Sequence, residues 1–265
     1  MKAFIVSLNF PIFSLKLPLA FQVADTSLLP SPSSLRGALA KTLTYFHPFS
    51  CNDFQEAVEQ WMLRVEEFVP YVTVKPESEI MKGSVILSRL RTLEQRGRED
   101  PRDAMRRGIT FIHCVKACYV INEEKAKKVL GEDALDQIKE ALWLIDRVGD
   151  TESLSNVYSV EGPLDLSLVG NEGEINTITN ESLVELIGQA YIDSMDSKLV
   201  YELTGKKKEV KKLRISRIHY LPVKAERINE FLIYIPSSYR VKTRKSRKSK
   251  IYTVKDVKIV VGDDQ

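Results

Sequence analysis

The sequence predicts an α+β protein whose N-terminal half mixes strands with helices and whose C-terminal half is rich in strands. Three observations lead to this fold class. Residues 2–10 form a compact apolar and β-branched run, apolar residues recur at helical spacing over residues 34–46, and short apolar runs alternate with turn residues from residue 156 onward. With 43% hydrophobic residues, the chain of 265 residues can bury a substantial core.

The chain is predicted to open with a strand over residues 2–10 that ends before Pro11. After it, the segment LLPSPSSLRGALAKTLTYF contains two prolines that exclude helix, and then Ser33 or Ser34 as the candidate N-cap. Leucines at four-residue spacing follow this cap. The predicted helix therefore spans residues 34–46.

The next segments continue this mixture of helix and strand. Asp53 and Glu56 form a capping-box-like pair that predicts a second helix over CNDFQEAVEQWMLRVEEFV, and the short strand PYVTV follows it. Seven arginines lie in residues 88–107 around breakers at Gly97 and Pro101, which predicts a protruding, solvated helix or loop. Because arginine suits phosphate recognition, a role in nucleic-acid binding is an equal alternative for this stretch.

From Gly108 onward, the pattern predicts the strand ITFIHCVKACYVI, two amphipathic helices separated near Gly131, strands over NVYSVEG and PLDLSLVG, and an acidic helix around residues 180–191. Strands and long basic hairpins follow to the C-terminus. No linker or fixed-period repeat separates the parts, so they are expected to pack as one unit. That unit comprises residues 1–204, with an insertion near residues 76–108, and a basic β-hairpin region over residues 205–265.

Charge is distributed unevenly along the chain, although the formal net charge is only +3. Residues 205–258 hold 18 Lys or Arg against four acids, whereas residues 150–202 hold eleven acids and a single lysine. The protein should therefore have a cationic and an anionic side. Tyr220, Tyr234 and Tyr239 lie between the basic runs, a pattern that suits phosphate contacts with base stacking. Nucleic acid is the favoured partner; an acidic protein and uninvolved hairpin tips are the alternatives.

Several function classes lack their sequence signatures. The chain has no GxxxxGK[ST], GxGxxG, HExxH, GxSxG or CxxC motif. Cys114 and Cys118 lie in an apolar strand with His113 on the opposite face, so buried core cysteines are a better interpretation than metal ligands. The sequence therefore predicts no cofactor and no metal site.

The N-terminal apolar segment is interrupted by Asn9, Pro11 and Lys16, which argues against a secretory signal. No run of about 18 uncharged apolar residues predicts a transmembrane helix. Three cysteines cannot form a closed disulfide framework. We therefore expect a cytoplasmic protein that has no membrane partner.

Three segments resemble one known family. The N-terminal strand followed by LLPSPSSLRGALA resembles the opening signature of the fifth CRISPR-associated (Cas) protein family. The segment WLIDRVGDTESLSNV is similar to one found in the archaeal type I-A branch of that family. FIHCVKACYVI resembles the strand that follows the family's protruding thumb. The order and spacing of the three segments agree with the family over most of the chain.

The resemblance implies an RRM-like (ferredoxin-like) domain with a protruding arginine-rich insertion, and a β-rich basic C-terminal part. It implies a non-catalytic subunit of a type I-A Cascade complex, which acts in antiviral defence. Such a subunit binds the 5′ handle of the CRISPR RNA (crRNA) and caps the filament of backbone subunits. The implied partners are crRNA, the backbone, large and small Cascade subunits, and the helicase-nuclease that the complex recruits.

The resemblance also implies a set of RNA contacts. A phosphate would suit the start of the first helix, which offers free backbone N–H groups, the positive end of the helix dipole and the guanidinium of Arg36. Gly37 permits close approach of the RNA backbone. Plain helix capping, with Gly37 packed against a neighbour, is the alternative. The candidate set adds the arginine-rich stretch, the RVGDTES segment and the C-terminal basic run: Ser33, Ser34, Arg36, Gly37, Lys41, Arg89, Arg91, Arg106, Arg107, Arg147, Ser153, Lys242, Arg244, Lys245 and Arg247.

The main rival function is a metal-independent endoribonuclease, because the type I-C branch of the family cuts crRNA precursors. Tyr45, His47, His113 and Lys116 could supply a base, an acid and a cation for attack by a ribose 2′-OH. Two of these residues lie at a predicted helix end and the other two point to opposite faces of a predicted strand, which disfavours catalysis. An unrelated RNA-binding factor is the third candidate.

Overall fold

The computed structural model describes residues 1–17, 25–47, 53–90, 102–150, 153–204, 209–229 and 231–262. The described ranges contain α-helices and predominantly antiparallel strands, which confirms the predicted α+β class. None of the helices in these ranges is long and apolar enough to cross a membrane.

The α-helices of the described ranges lie between residues 32 and 143, close to their predicted positions. They are α1 (Pro32–Phe46), α2 (Phe54–Phe68), α3 (Glu123–Leu130) and α4 (Ala134–Trp143). The capping residue of α2 is the predicted one, because the Asp53 side chain accepts a hydrogen bond from the Glu56 amide at 2.8 Å. Gly131 separates α3 from α4, as the sequence predicts.

The start of α1 differs from the prediction by a few residues. Ser31 is the N-cap: its Oγ accepts from the Ser34 amide at 3.2 Å, and Pro32 is the first helical residue. A proline is tolerated there because the first turn has no intrahelical partner for its missing N–H. Ser33 and Ser34 are therefore inside the helix, and neither is its cap.

Ser31→Ala is expected to lower the free energy of unfolding by about 1 kcal/mol, since the first turn loses its side-chain acceptor. Ser33→Ala is the matched control: the Ser33 hydroxyl is buried and lies 3.2 Å from Ser31 Oγ, but it does not cap the helix, so a smaller loss is expected. Chemical denaturation of both variants gives the comparison. Equal losses in the two variants would mean that the cap is not at Ser31.

A seven-stranded antiparallel sheet is the central element of the fold. Its strands are β1 (Lys2–Phe13), β2 (Tyr71–Pro76), β3 (Ile80–Leu90), β4 (Arg102–Ile121), β5 (Asn156–Asp165), β12 (Val223–Ile228) and β13 (Phe231–Pro236). Their order is β12-β13-β3-β4-β1-β5, and β2 also pairs with β4. Pro11 does not end β1, because the register shifts between Phe10 and Phe13 and so accommodates it as an irregularity of the strand.

The two ends of the arginine-rich stretch, residues 88–90 and 102–107, belong to the two arms of a long antiparallel hairpin. Strands β3 and β4 pair continuously from Ile80 opposite Ile112 to Leu90 opposite Arg102. The expected solvated helix is therefore wrong for the described parts of this segment, which are extended and paired. Residues 91–101, between the arms, lie outside the described residues, so the insertion itself stays a prediction.

Three small sheets form the C-terminal part. Their strands are β6 (Ser167–Gly170), β7 (Glu172–Ile175), β8 (Thr179–Asn180), β9 (Val184–Ile187), β10 (Tyr191–Thr204), β11 (Glu209–Leu221), β14 (Tyr239–Thr243), β15 (Lys250–Val254) and β16 (Val257–Val261). The sheets have the orders β10-β11-β8, β7-β14-β9 and β16-β15-β6. Strands from both sides of the predicted 204/205 boundary pair with one another, as β15 does with β6.

The acidic helix predicted around residues 180–191 is wrong. The segment forms a single 3₁₀ turn, Glu181–Leu183, followed by strand β9. Pairing with β14 explains the difference, because Lys242 of that strand lies opposite Glu185. Opposite charges across an antiparallel pair favour the extended conformation that the local sequence pattern does not indicate.

The two faces of the central sheet are covered differently. The helices pack on one face and form the largest core, with Phe4, Leu39 and Trp61 among its members. On the other face, Ile5 and Cys118 pack against β15 and β16. Burial raises the pKa of the Cys118 thiol to about 12, which fits the predicted core cysteine, whereas Cys114, also predicted to be buried in the core, is only partly buried.

The tyrosines that were predicted to stack on bases are core residues. Tyr220, Tyr234 and Tyr239 are each less than 10% exposed. The Tyr220 and Tyr239 rings meet edge to face at 6.1 Å, and the Tyr239 hydroxyl donates to the Thr177 carbonyl at 2.7 Å. The stacking interpretation is therefore wrong for these three side chains.

An ionic cluster joins the C-terminal part to the central sheet. Asp256, in the β15–β16 turn, contacts Lys75 at 2.6 Å and Lys116 at 2.8 Å, and Glu77 contacts the same two lysines. Burial would raise the pKa of the Asp256 carboxyl, but the hydrogen bonds and charges of the two lysines outweigh it, so the pKa is well below its usual value.

Asp256→Asn is expected to lower the free energy of unfolding by up to about 1 kcal/mol at pH 7, a small value because the Asp256 side chain is 47% exposed. Because the Asp256 carboxyl has a lower pKa in the folded protein than in the unfolded chain, its ionised form stabilises the fold above the unfolded pKa of about 3.9. This stabilisation is lost as the pH falls through the pKa of the folded protein. The wild-type advantage should therefore shrink in denaturation curves recorded from pH 5 to pH 2. A stability difference between the wild type and Asp256→Asn that stays constant over this pH range would contradict the lowered pKa of the Asp256 carboxyl.

Candidate functional site

A cleft of about 320 Å³ lies between α1, α2 and the turn that follows α4. It brings together five of the sequence-predicted residues, from two segments more than 100 positions apart: Ser33, Ser34, Gly37, Lys41 and Arg147. The cleft is therefore the place where the predicted helix-start site and the predicted RVGDTES site meet.

The first turn of α1 offers the cleft fewer amide donors than the sequence predicts. Pro32 has no N–H, the Ser34 amide is bonded to Ser31, and the Leu35 amide donates to the Ser31 carbonyl at 3.2 Å. Two of the first four amide positions are thus already bonded and a third has no hydrogen to donate. An anion site built from free backbone N–H groups is correspondingly weaker than predicted.

Arg36 does not face the cleft. It is 9% exposed and donates three hydrogen bonds to backbone carbonyls, from Nε to Val69 at 3.1 Å, from Nη1 to Ser197 at 3.0 Å and from Nη2 to Pro70 at 3.0 Å. This fork joins α1 to the end of α2 and to β10. The geometry thus gives Arg36 a structural role and does not support the predicted direct phosphate contact.

Gly37 lies on the cleft side of α1, opposite α2. A Cβ added at Gly37 would meet the sulfur of Met62 at 3.7 Å, an ordinary contact distance. Ala38 and Val58 also line this part of the cleft and make it apolar. Gly37 therefore packs beside α2, as the alternative to an RNA contact predicted. Its lack of a side chain also leaves room in the cleft.

The turn after α4 is held in place by Ser153 and Gly149. Ser153 is fully buried; its Oγ donates to the Ser14 carbonyl at 2.6 Å and accepts from the Ser14 amide at 2.8 Å. Gly149 has φ +101°, and a Cβ there would lie 3.2 Å from the Ser14 carbonyl oxygen. Ser153 is thus a structural residue that positions Arg147 in the cleft wall and is itself not exposed to a ligand.

Lys41 and Arg147 are the cations of the cleft. Lys41 Nζ contacts Asp146 at 2.6 Å. The Nε atom of Arg147 is buried and has no hydrogen-bond acceptor among the described residues. An unsatisfied donor in the wall of a cleft is unusual in a folded protein and calls for a partner.

The β3–β4 hairpin begins beside the cleft. Arg107 donates from Nε to Ser14 Oγ at 3.0 Å and from Nη2 to Asp150 at 2.6 Å, and Asp150 lines the cleft. Arg106, next to it, is exposed, and its Nε contacts Ser84 Oγ at 3.1 Å. The arginine-bearing hairpin and the cleft are therefore one continuous surface.

Two predicted arginines of the hairpin have no described side chain. Arg89 lies in β3, opposite Asp103 of β4 in the strand register. Arg91 lies outside the described residues. Both stay predictions of RNA contact.

The predicted C-terminal contacts form a separate basic surface on a small sheet and the turn after it. Lys242 lies on β14, whereas Lys245 and Arg247 lie in the 3₁₀ turn Lys245–Arg247. Arg244 Nε donates to the Val184 carbonyl at 2.9 Å, so part of its guanidinium anchors the turn. None of these residues lines the cleft, so they do not join the predicted helix-start site.

The residues of the rival nuclease are held by different partners. His47 Nε2 contacts Gln137 at 2.7 Å, His113 Nδ1 contacts Asn9 at 3.2 Å, and Lys116 pairs with Asp256. Tyr45 stacks on Phe54 at 5.8 Å. No hydrogen bond or ring contact in the described structure links the four side chains to one another. The described ranges also contain no group of three or more His, Cys, Asp or Glu that could hold a metal ion.

Four polar residues of the cleft were missed by sequence reasoning: Gln55, Glu59, Asp150 and Asp196. Gln55 and Glu59 lie four residues apart on α2, and a hydrogen bond from Gln55 Nε2 to Glu59 Oε1 at 2.9 Å joins them. Their i,i+4 spacing in a predicted helix was the available signal. Asp196 lies on β10, and no sequence pattern near it indicated that it would line the cleft.

Comparison with solved structures concerns the fold. Over 99% of both chains, the fold is similar to the crystal structure of a CRISPR protein from Archaeoglobus fulgidus, with a TM-score of 0.54 and 14% sequence identity. A chain of a CRISPR RNA-guided surveillance complex matches over 89% of this chain and 91% of its own, with a TM-score of 0.42 and 13% identity. No family model matches the sequence. The first of these similarities shows that the two proteins share a fold.

The particular relationship comes from sequence. The chain is similar to the CRISPR-associated protein Cas5 of Methanocaldococcus jannaschii, with 36% identity over 162 residues. The matched region is 61% of this chain and 64% of the length of that relative. The predicted resemblance to the fifth Cas family is thereby confirmed.

Proposed function

We propose that the protein is a non-catalytic RNA-binding subunit of a type I-A Cascade complex, with an RRM-like domain that binds the 5′ handle of crRNA and caps the backbone-subunit filament. Its partners are then crRNA, the backbone, large and small subunits, and the helicase-nuclease that the complex recruits. The similarity to Cas5 supports membership in a CRISPR system. The finer assignments rest on the surface described above.

The observation that carries the proposal is the Arg107–Asp150 ion pair at 2.6 Å, which joins the base of the arginine-bearing hairpin to the cleft. RNA that follows this surface meets the Arg106 and Arg107 side chains at the base of the hairpin and a recess of about 320 Å³ beside them. Phosphate contacts by arginine position a nucleic acid, and a recess can select a base. This combination fits a protein that holds a defined RNA end.

The exposed basic turn at the C-terminus contributes in a different way. Lys245 and Arg247 lie apart from the cleft, and acidic residues face part of this surface, because Lys242 lies opposite Glu172 and Glu185 in the strand register. The turn therefore attracts RNA at long range or contacts another part of the ribonucleoprotein.

Equilibrium binding of labelled RNA, with and without the handle, tests the proposal. Arg106→Glu should weaken binding several-fold at about 0.1 M salt and reduce the salt slope by about 0.7 for each single-strand phosphate that the variant no longer neutralises. Arg227→Glu is the matched control, because Arg227 is exposed on the edge strand β12. Equal effects of the two variants would indicate non-specific attraction.

A second experiment separates the proposal from the nuclease alternative. Incubation of the purified protein with repeat RNA in EDTA should leave the RNA intact. Clean cleavage at the 5′ side of the handle that disappears in His47→Ala or His113→Ala would instead establish the endoribonuclease. Purification from the native host should bring down crRNA together with filament subunits.

A further inference from the structure

The charges of the cleft do not suit a phosphate inside it. Three carboxylates line it, those of Glu59, Asp150 and Asp196, against the cations Lys41 and Arg147. Asp150 is also paired with Arg107 at 2.6 Å. Lys41 Nζ is paired at 2.6 Å with the carboxylate of Asp146, which lies just outside the cleft. A phosphate that entered would meet more negative than positive charge in a partly desolvated space, which is unfavourable.

The same lining suits a flat, uncharged ring with N–H donors on its edge. The apolar lining of the cleft, which includes Ala38 and Met62, can contact the faces of such a ring. The carboxylates can accept hydrogen bonds from its edge. The volume of about 320 Å³ lies at the lower end of the range of about 300–1,000 Å³ for small-molecule pockets, which is suitable for a single ring system.

We propose that the cleft holds one nucleobase that carries an exocyclic amino group, and that it selects against uracil. As a site for an RNA base, this inference rests on the proposed function. Amino groups of guanine, adenine and cytosine donate to carboxylates, whereas uracil presents two carbonyl oxygens and a single N–H.

Two features give the polar edge of the cleft a defined pattern. The bond from Gln55 Nε2 to Glu59 Oε1 fixes the amide, so the Gln55 oxygen and the carboxylate remain as neighbouring acceptors. On the other wall, the Arg147 side chain lines the cleft, and its guanidinium carries N–H donors. Among the bases, guanine best matches this combination, because it donates from N1 and N2 and accepts at O6 and N7, the atoms that arginine contacts.

Base replacement along the handle, combined with cleft variants, tests the inference. With wild-type protein, changing one guanosine of the handle to inosine, which lacks the amino group, should weaken binding by about tenfold, as expected when one directional hydrogen bond is removed. Changing it to uridine should weaken binding at least as much. Glu59→Gln and Gly37→Met should lower the affinity and also abolish the discrimination between guanosine and inosine.

Gln60→Leu is the matched control, because Gln60 is exposed on the same helix and does not line the cleft. It should keep both the affinity and the discrimination. If the wild-type protein distinguishes the bases and the cleft variants do so equally well, the selective site is elsewhere and the inference is wrong, although the RNA-binding function stands.

Free guanosine distinguishes the remaining outcomes by calorimetric titration. We expect the protein to bind handle RNA but to show no measurable affinity for free guanosine, because the RNA chain delivers the base to the cleft. Guanosine binding that Gly37→Met abolishes, with no binding of handle RNA, would overturn the proposed function while keeping the base site. Loss of one base-edge hydrogen bond should change the affinity by well over twofold. If the protein binds RNA and no base replacement changes the affinity by more than about twofold, the base site does not exist.

Discussion

An Arg36→Met variant is expected to unfold with a free energy about 3 kcal/mol lower than that of the wild type. The substitution keeps an apolar stem but removes a guanidinium that donates to the carbonyls of Val69, Pro70 and Ser197. Hydrogen bonds from a charged group contribute about 1.5–3 kcal/mol each, and the carbonyls left behind at this buried position lose their donor. Urea denaturation followed by circular dichroism gives the difference.

The same variant distinguishes a structural role from the predicted RNA contact. At a temperature and denaturant concentration where both proteins are folded, Arg36→Met should bind handle RNA with an unchanged salt slope, because the substitution removes no phosphate ligand. Arg36→Lys should recover only part of the stability, since an ammonium cannot reproduce the fork. A normal unfolding free energy with a reduced salt slope would restore Arg36 as a phosphate ligand.

Gly149→Ala is expected to lower the free energy of unfolding by about 3 kcal/mol and to disturb the cleft. Gly149 has φ +101°, a conformation that costs an L-residue about 1–2 kcal/mol. The added Cβ would also lie 3.2 Å from the Ser14 oxygen and 3.3 Å from the Phe13 ring, and both residues are buried. Relief of these contacts requires movement of the turn that carries Arg147 and Asp150.

Gly131→Ala is the matched control for this prediction. Gly131 also has a positive φ, +91°, but an added Cβ would meet nothing within 4 Å. Because its ψ is −171°, it lies in a region that essentially only glycine adopts, and the effect should be limited to a backbone cost of about 1–3 kcal/mol. Thermal unfolding of the two variants, together with handle-RNA affinity, gives the comparison. If both variants lose the same stability and bind RNA equally, the close packing around Gly149 has no role in shaping the cleft.

Local sequence pattern predicts most elements of the fold because their causes are local. The helix over α2 follows from a capping residue and apolar spacing, and the break at Gly131 from a glycine at a helix end. Long-range pairing overrides local preference elsewhere. Residues 184–187 lie in an acidic segment with a helix-like pattern but become a strand because β14 offers a complementary edge.

The candidate site is predictable only in part for the same reason. Gly37, Lys41 and Arg147 were identified from motifs, and the structure brings them to one cleft. The burial of Arg36 was not predictable, because its acceptors lie 33 to 161 positions away in the chain. Asp196 reaches the cleft from β10, and no motif in the sequence joins that strand to α1.

The central position of β1 has a consequence for synthesis of the chain. Lys2 lies opposite Ile121 in one neighbouring strand and opposite Asp165 in the other. At about 5–20 residues per second, a ribosome needs roughly 5–22 s after it completes β1 to complete β4, and longer to complete β5. Throughout that time, the apolar run Ala3–Val6 has no strand partner, which makes β1 of the nascent chain a substrate for chaperones and a risk for premature aggregation.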